Sequence, residues 1–138
     1  MSELHRLNEK INFKYKQVKY RIPQKKENKY KNQKITYRGI KFDSQEEAAR
    51  YVKLKLLEDK QLISNLKLQQ SFLIVPKQKG ERAVHYIADF TYFQDGKFIV
   101  EDVKSEITRK NTAYIIKRKL VKLLLNKMYG ENAEFREV

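Results

Sequence analysis

The chain contains no cysteine, and only two histidines, two prolines and four glycines among its 138 residues. Without cysteine it has no disulfide framework and no thiolate metal site. The two histidines, His5 and His85, are far apart in the sequence, which argues against a histidine-built zinc site. No run approaches the roughly 18 to 20 apolar residues of a membrane span, and no signal peptide is visible at the N-terminus. We therefore expect a cytoplasmic protein.

Acidic residues are scarce relative to basic ones. The chain has 31 lysines and arginines against 17 aspartates and glutamates, a net charge of +14. Residues 1–41 alone carry thirteen basic and three acidic side chains, a net charge of +10. Such an arm is expected to bind a polyanion through phosphate neutralisation and counterion release. DNA, ribosomal-type RNA and acidic membrane surfaces all satisfy the charge, but the arm lacks the bulky apolar face of a membrane-surface helix, which favours nucleic acid.

The basic arm is predicted to be a helix and a linker. Four apolar residues within residues 2–20 fall near heptad spacing, although Lys14 interrupts them: Leu4, Leu7, Ile11 and Val18. A polar, lysine-rich linker follows from Pro23 to residue 34. We expect five of its lysines to bind DNA: Lys25, Lys26, Lys29, Lys31 and Lys34. Residues 35–138 are then one domain, since 41% of the chain is apolar and its length suffices for one core.

The domain opens with a short β-excursion and a helix. Residues 35–42 predict the excursion, which turns at Gly39. Ser44 and, three residues later, Glu47 form a capping box, the typical start of a helix, and the apolar run continues to about Leu57.

The rest of the domain is predicted to alternate strands with one long helix. Strands are expected at residues 66–76, 84–93 and 97–104, a helix at residues 111–129 and a last strand at residues 133–138. A helix, a three-stranded meander, a helix and a strand make an α/β fold with a mixed β-sheet flanked by helices.

The turn Asp95-Gly96 sets the register of the central hairpin. This dipeptide favours a two-residue type I′ turn, which places Asp89 opposite Asp102 with their Cβ atoms ~5 Å apart. Lys104 then points to the same face, ~7 Å along the strand. Glu101 points the other way. A slip of one residue would exchange the two faces.

Two facing aspartates destabilise a sheet unless something offsets their repulsion. A hard divalent cation does so, and Mg²⁺ commonly uses one or two carboxylates together with substrate phosphate oxygens. A neighbouring lysine can orient or deprotonate water, or stabilise charge on a phosphate. Ordinary polar strand ends would explain the same residues without a metal, and the basic arm favours the metal site.

Asp89 and Asp102-Val103-Lys104, preceded by a helix that carries Glu47, resemble the PD-(D/E)XK nuclease superfamily, and so does the order of the core elements. The superfamily name expects proline before the first aspartate, where this chain has Ala88. The resemblance implies a restriction-endonuclease-like core in which Asp89, Asp102 and Glu47 hold the metal and Lys104 is the catalytic lysine.

A more specific resemblance covers about residues 28–125. The segments NKYKNQKITYRGIKFDSQEEAARYV, YIADF, VEDVKS and YIIKRKL are similar to small phage-encoded nucleases of the Holliday-junction-resolvase-like kind. This implies hydrolysis of DNA phosphodiesters with Mg²⁺ or Mn²⁺, in DNA recombination or processing in a phage-infected bacterial host. A junction resolvase makes two symmetric cuts, so we expect a homodimer.

Several interpretations stay open on the residues alone. Glu47 is fully explained as a helix cap, and its neighbour Glu46 is its rival for a functional role. Lys117 falls on a stripe with Ala113, Leu120 and Leu124 that is expected to face the sheet, where it would reach a phosphate or extend to solvent. The whole chain could instead be a non-catalytic DNA-binding module with this fold, or a basic RNA-binding protein. Neither alternative explains the facing aspartates.

Overall fold

The structure, a computed structural model, describes residues 34–138. The predicted N-terminal helix and four of the five linker lysines lie outside these residues. The predicted domain boundary at residue 34 lies at their edge. All three stay predictions. The chain divides into two compact units, one ending at Leu56 and the other running from Leu57 to Val138. Within the described residues, no helix is both long enough and apolar enough to cross a membrane.

The first unit contains the predicted β-excursion. Strands β1 (Ile35–Tyr37) and β2 (Ile40–Phe42) pair antiparallel. The two residues between them, Arg38 and Gly39, have φ angles of 48° and 80°. Positive φ at both central positions is the type I′ geometry, which glycine adopts without the steric penalty of a side chain. The predicted turn at Gly39 is confirmed.

Helix α1 (Gln45–Asp59) begins in the first unit, and its capping box is confirmed. The Glu47 N–H donates to Ser44 Oγ at 3.1 Å. Glu47 Oε2 in turn accepts the Asp43 N–H at 2.8 Å, one residue further back than in the usual box. The first contact satisfies one of the amide groups that a helix N-terminus leaves without an intrahelical partner, and the second ties the residue before the cap to the helix.

The second unit is built on a four-stranded mixed sheet of order β3-β4-β5-β6. Its strands are β3 (Ser64–Val75), β4 (Val84–Gln94), β5 (Lys97–Asp102) and β6 (Ala133–Glu137). The β3–β4 and β4–β5 pairs are antiparallel, and β5–β6 is parallel. The predicted α/β class and mixed sheet are confirmed.

Two helices connect β5 to β6. The short α2 (Glu106–Arg109) was not predicted, whereas α3 (Thr112–Tyr129) matches the predicted long helix. Asn111 Oδ1 caps α3 by accepting the Tyr114 N–H at 3.1 Å. Gly130, with φ 58°, ends the helix as predicted.

The predicted hairpin register is also confirmed. Gln94 pairs with Lys97 and Phe90 pairs with Glu101. The turn residues Asp95 and Gly96 have φ angles of 51° and 76°, the type I′ geometry. Val100 and Asp102 therefore belong to one face of β5 and Glu101 to the other.

The side chains of β4 do not alternate regularly between the two faces of the sheet near Asp89, just before the strand starts to pair with β5. Val100 pairs with Thr91, yet Ala88 packs in the same apolar cluster as Val100. Paired residues of neighbouring strands share a face, so Ala88 and Thr91 lie on one face although they are three residues apart. The β3–β4 ladder skips the position of Gln69 and Asp89, and Gln69 has φ 52°. Asp89 and Asp102, which were predicted to face each other, lie beyond the last β4–β5 pair, so that cross-strand pair is not part of the sheet.

Helix α3 covers the sheet with a different stripe from the predicted one. Its buried residues are Tyr114, Val121 and Leu125, which pack against the apolar cluster on the sheet. Ala113 and Lys117 are exposed, so the prediction that they face the sheet is wrong, whereas Leu124 of the same predicted stripe packs against the apolar cluster. Apolar residues occur on several sides of α3, and the true stripe starts one residue later. The basic residue that it carries is Arg118.

Candidate active site

Asp102 is the last residue of β5, and its side chain is fully buried, with 0% of its surface exposed. The Tyr86 hydroxyl donates a hydrogen bond to Asp102 Oδ2. The other oxygen, Oδ1, is buried and accepts no hydrogen bond. The neighbour of this oxygen is the Lys104 ammonium, which pairs with its charge.

Lys104 holds both aspartates together, although β5 ends two residues before it. Its Nζ lies 3.2 Å from Asp102 Oδ1, without hydrogen-bond geometry, and 4.0 Å from Asp89 Oδ2. Parallel pairing with the end of β6 fixes the backbone here. The Val138 N–H donates to the Asp102 carbonyl at 2.9 Å, and the Lys104 N–H donates to the Val138 carbonyl at 3.2 Å.

Asp89 is buried as well, with 5% of its surface exposed. Its Oδ2 accepts the Val103 N–H at 2.8 Å, and its Oδ1 accepts a longer bond of 3.4 Å from the Gln69 side chain. The first bond attaches Asp89 to the segment between Asp102 and Lys104. The structure therefore brings the three residues together through the contacts of Asp89 with Val103 and Lys104, beyond the paired part of the hairpin.

Burial dominates the electrostatics of Asp102. It raises the pKa of this carboxyl from 3.8 to about 6, although the charge of Lys104 acts in the opposite direction. The carboxylate is thus held in an environment that disfavours its charge. Binding of a cation would relieve this cost.

Glu101, the neighbour of Asp102, is fully buried on the opposite face. Its Oε2 accepts a 2.6 Å hydrogen bond from the Tyr92 hydroxyl. Arg136, the β6 partner of Glu101, donates to the same hydroxyl at 3.3 Å. These contacts connect three strands, which assigns Glu101 to the stability of the sheet.

A group around Glu137 adjoins the site and was missed in the sequence. Glu137 is the β6 partner of Asp102, and it accepts hydrogen bonds from the Tyr114 hydroxyl at 3.0 Å and from Arg118 at 2.8 Å. Burial by itself would raise the pKa of Glu137, but the hydrogen bonds from Arg118 and Tyr114 outweigh it. The pKa of Glu137 therefore lies below its ordinary value. The ring of Tyr114 lies 5.8 Å from Lys104 Nζ. Only the parallel pairing of β6 with β5 brings Glu137 here, and no local motif signals it.

The donor set fits a small, hard cation with two protein ligands. Asp89 and Asp102 provide oxygen ligands, and Oδ1 of Asp102 is the buried atom that lacks a hydrogen bond. Mg²⁺ commonly takes one or two carboxylates and completes its shell with water and substrate phosphate oxygens. Within residues 34–138, no three histidine, cysteine, aspartate or glutamate side chains are grouped so as to hold a metal ion.

The other predicted site residues are placed as follows. Glu47 is buried and serves the capping box of the first unit, so its role as a metal ligand stays a prediction. Its rival Glu46 is exposed on the same helix. Lys34 and Lys117 are both exposed, which is compatible with contact to a polyanion.

Two substitutions separate the capping role of Glu47 from its predicted metal role. We expect Ser44→Ala to destabilise the protein by about 1 kcal/mol, because the cap of α1 is lost. Glu47→Gln should cost less, because the amide oxygen can still accept the Asp43 N–H, and it should lose metal-dependent cleavage only if Glu47 also binds the metal. Urea denaturation and a DNA cleavage assay measure the two effects. A Glu47→Gln protein that cleaves DNA normally would leave the residue with its capping role alone.

Residues 27–133 match the family described as Protein of unknown function (DUF1064). No curated protein and no solved structure matches the chain. The family match covers the β-excursion, α1, the central hairpin with Asp89, Asp102 and Lys104, and all of α3. The chain belongs to the DUF1064 family.

Proposed function

We propose that this protein is a metal-dependent DNA endonuclease. The observation that carries the proposal is the convergence of two buried aspartates on one lysine at the end of a strand, with Asp102 Oδ1 left without a hydrogen bond. This group resembles the Asp…Asp-X-Lys set of the PD-(D/E)XK superfamily. The net charge of +14 supports a nucleic acid as the substrate.

Each residue has a distinct part in the proposed reaction. Asp89 and Asp102 would hold Mg²⁺ or Mn²⁺, which would supply Lewis acidity and lower the pKa of bound water. Lys104 directs its ammonium group toward the phosphate, where it orients the attacking water or stabilises the charge that develops on oxygen. Tyr86 keeps Asp102 oriented through its hydroxyl. The Val103 N–H does the same for Asp89.

The fold supports the same assignment. A helix, an antiparallel meander, a long helix and a parallel last strand follow one another in the order of a restriction-endonuclease-like core. We therefore extend the proposal to that fold family and to branched or recombination-intermediate DNA as the substrate. A homodimer would place two such sites for symmetric cuts.

The test is a cleavage assay on four DNA geometries: four-way junctions, flaps, duplexes and single strands. We expect Mg²⁺-dependent cleavage that EDTA abolishes, with the four-way junction preferred. Binding of DNA without cleavage of any substrate, in Mg²⁺ or Mn²⁺, would instead identify a non-catalytic DNA-binding module.

The basic arm is expected to supply most of the affinity for DNA. Residues 1–33 carry ten basic and three acidic side chains, +7 of the +14 net charge, so their deletion should weaken DNA binding strongly and flatten its dependence on salt. The three residues of the proposed site remain, so slow cleavage at low salt should persist. Binding titrations between 50 and 300 mM salt measure the slope. An unchanged slope in the truncated protein would place the phosphate contacts elsewhere.

A further inference from the structure

Glu137 lies between two arginines beside the proposed catalytic site. Arg118 Nη1 lies 2.8 Å from Glu137 Oε1, and Arg109 Nε lies 3.3 Å from Glu137 Oε2. One carboxylate thus faces two guanidinium groups, which leaves a local excess of one positive charge. Glu137 pairs with Asp102 across neighbouring strands, so its backbone lies about one strand spacing, ~4.8 Å, from the backbone of the proposed metal ligand.

Each of the two arginines has more N–H donors than its contact with Glu137 can use. A guanidinium group carries five N–H donors in a planar fork that matches the oxygens of phosphate. Arg109 Nε is buried, and its contact with Glu137 lacks hydrogen-bond geometry. The Arg109 side chain is 39% exposed and that of Arg118 is 24% exposed. Both guanidinium groups are therefore anchored to the protein yet accessible from solvent.

Neighbouring contacts hold the pair in place before any ligand arrives. The Arg118 guanidinium lies 5.7 Å from the centre of the Tyr114 ring, and the Tyr114 hydroxyl donates to Glu137 at 3.0 Å. Arg109 ends the short helix α2, where its N–H donates to the Ser105 carbonyl at 3.0 Å. Ser105 directly follows Lys104, so the chain joins Arg109 to the proposed catalytic lysine by a short, capped helix. Such preorganisation lowers the entropic cost of binding.

We propose that Arg109 and Arg118 form a binding site for a DNA backbone phosphate adjacent to the scissile one, and that Glu137 orients the two guanidinium groups. This inference rests on the proposed function, because it takes DNA as the substrate. Asp89, Asp102 and Lys104 act on the scissile phosphate, while the arginine pair holds its neighbour and fixes the position of the strand.

The test measures DNA binding apart from cleavage. Fluorescence anisotropy with a labelled four-way junction in EDTA gives the affinity of wild type, Arg109→Gln, Arg118→Gln and the double variant between 50 and 300 mM salt. Each single change should lower affinity about fivefold, and loss of both arginines should reduce the salt slope by about one, as expected for loss of one phosphate contact. The double variant should lose about 20-fold. Arg82→Gln removes the same charge from an exposed position and should change affinity less than about twofold.

Folding and side-chain shape are controlled separately. Thermal unfolding of every variant shows whether the substitution destabilises the fold. Arg118→Lys keeps the positive charge but lacks the planar, two-pronged guanidinium group. We expect Arg118→Lys to recover part of the lost affinity, because a single ammonium still pairs with phosphate but not in a bidentate way. A stability loss with unchanged affinity would show that the arginines only tether Glu137, and would overturn the site.

The remaining outcomes separate this site from the nuclease proposal. Equal losses in Arg82→Gln and Arg118→Gln would mean that net charge alone matters, which overturns the site. If wild type cleaves DNA but the two arginine variants bind normally, the site is wrong and the nuclease proposal stands. If the arginine variants lose affinity but wild type cleaves no DNA, the phosphate site stands and the nuclease proposal fails.

Discussion

Replacement of Asp102 by asparagine is expected to stabilise the metal-free protein, relative to wild type, by about 2 kcal/mol more at pH 7 than at pH 4. The reason is that burial raises the pKa of Asp102 from 3.8 to about 6 in the folded chain. Between pH 3.8 and about pH 6, the Asp102 carboxyl is ionised in the unfolded chain but still protonated in the folded chain. The stability of wild type therefore falls as pH rises through this window, whereas asparagine does not ionise.

Urea denaturation in EDTA at pH 4 and pH 7, followed by circular dichroism, measures this difference. The comparison between the two pH values cancels any constant effect of the amide. We also expect saturating Mg²⁺ to narrow the gap at pH 7, because a cation that binds only the folded wild type stabilises it by mass action. A difference that is equal at both pH values would show that Asp102 does not carry the cost of a buried charge.

The central hairpin was predictable because one dipeptide determines its register. Asp95-Gly96 favours a turn in which both φ angles are positive, and that turn fixes every later pair up to Phe90 and Glu101. The distinction between the faces of Glu101 and Asp102 follows from it. Capping likewise follows from local chemistry, as Ser44 shows.

Other parts of the site depend on contacts distant in sequence. The interruption of β4 near Asp89 coincides with the positive φ of Gln69 on the neighbouring strand, which no residue type there signals. The sheet-facing stripe of α3 was misplaced by one residue because apolar side chains occur around much of the helix. Arg118, rather than Lys117, therefore reaches the edge of the site, where Glu137 meets it.

The second large effect concerns cleavage. Asp102→Asn and Lys104→Ala should each reduce the cleavage rate by on the order of 100-fold or more, the former through loss of a metal ligand and the latter through loss of charge stabilisation at the phosphate. Lys104→Ala should retain Mg²⁺ binding, and Asp102→Asn should bind DNA at least as tightly as wild type, because a negative charge is removed. Glu101→Gln should destabilise the sheet, since it alters the bond from Tyr92, yet remain active when folded.

The most direct measurement compares the two neighbouring acids. Single-turnover cleavage by Asp102→Asn and Glu101→Gln is measured at saturating Mg²⁺, with circular dichroism to confirm that both variants are folded. The hairpin register and the contacts of Lys104 predict an inactive Asp102→Asn and a Glu101→Gln that keeps activity within about tenfold of wild type. An active Asp102→Asn beside an inactive, folded Glu101→Gln would contradict the proposed site.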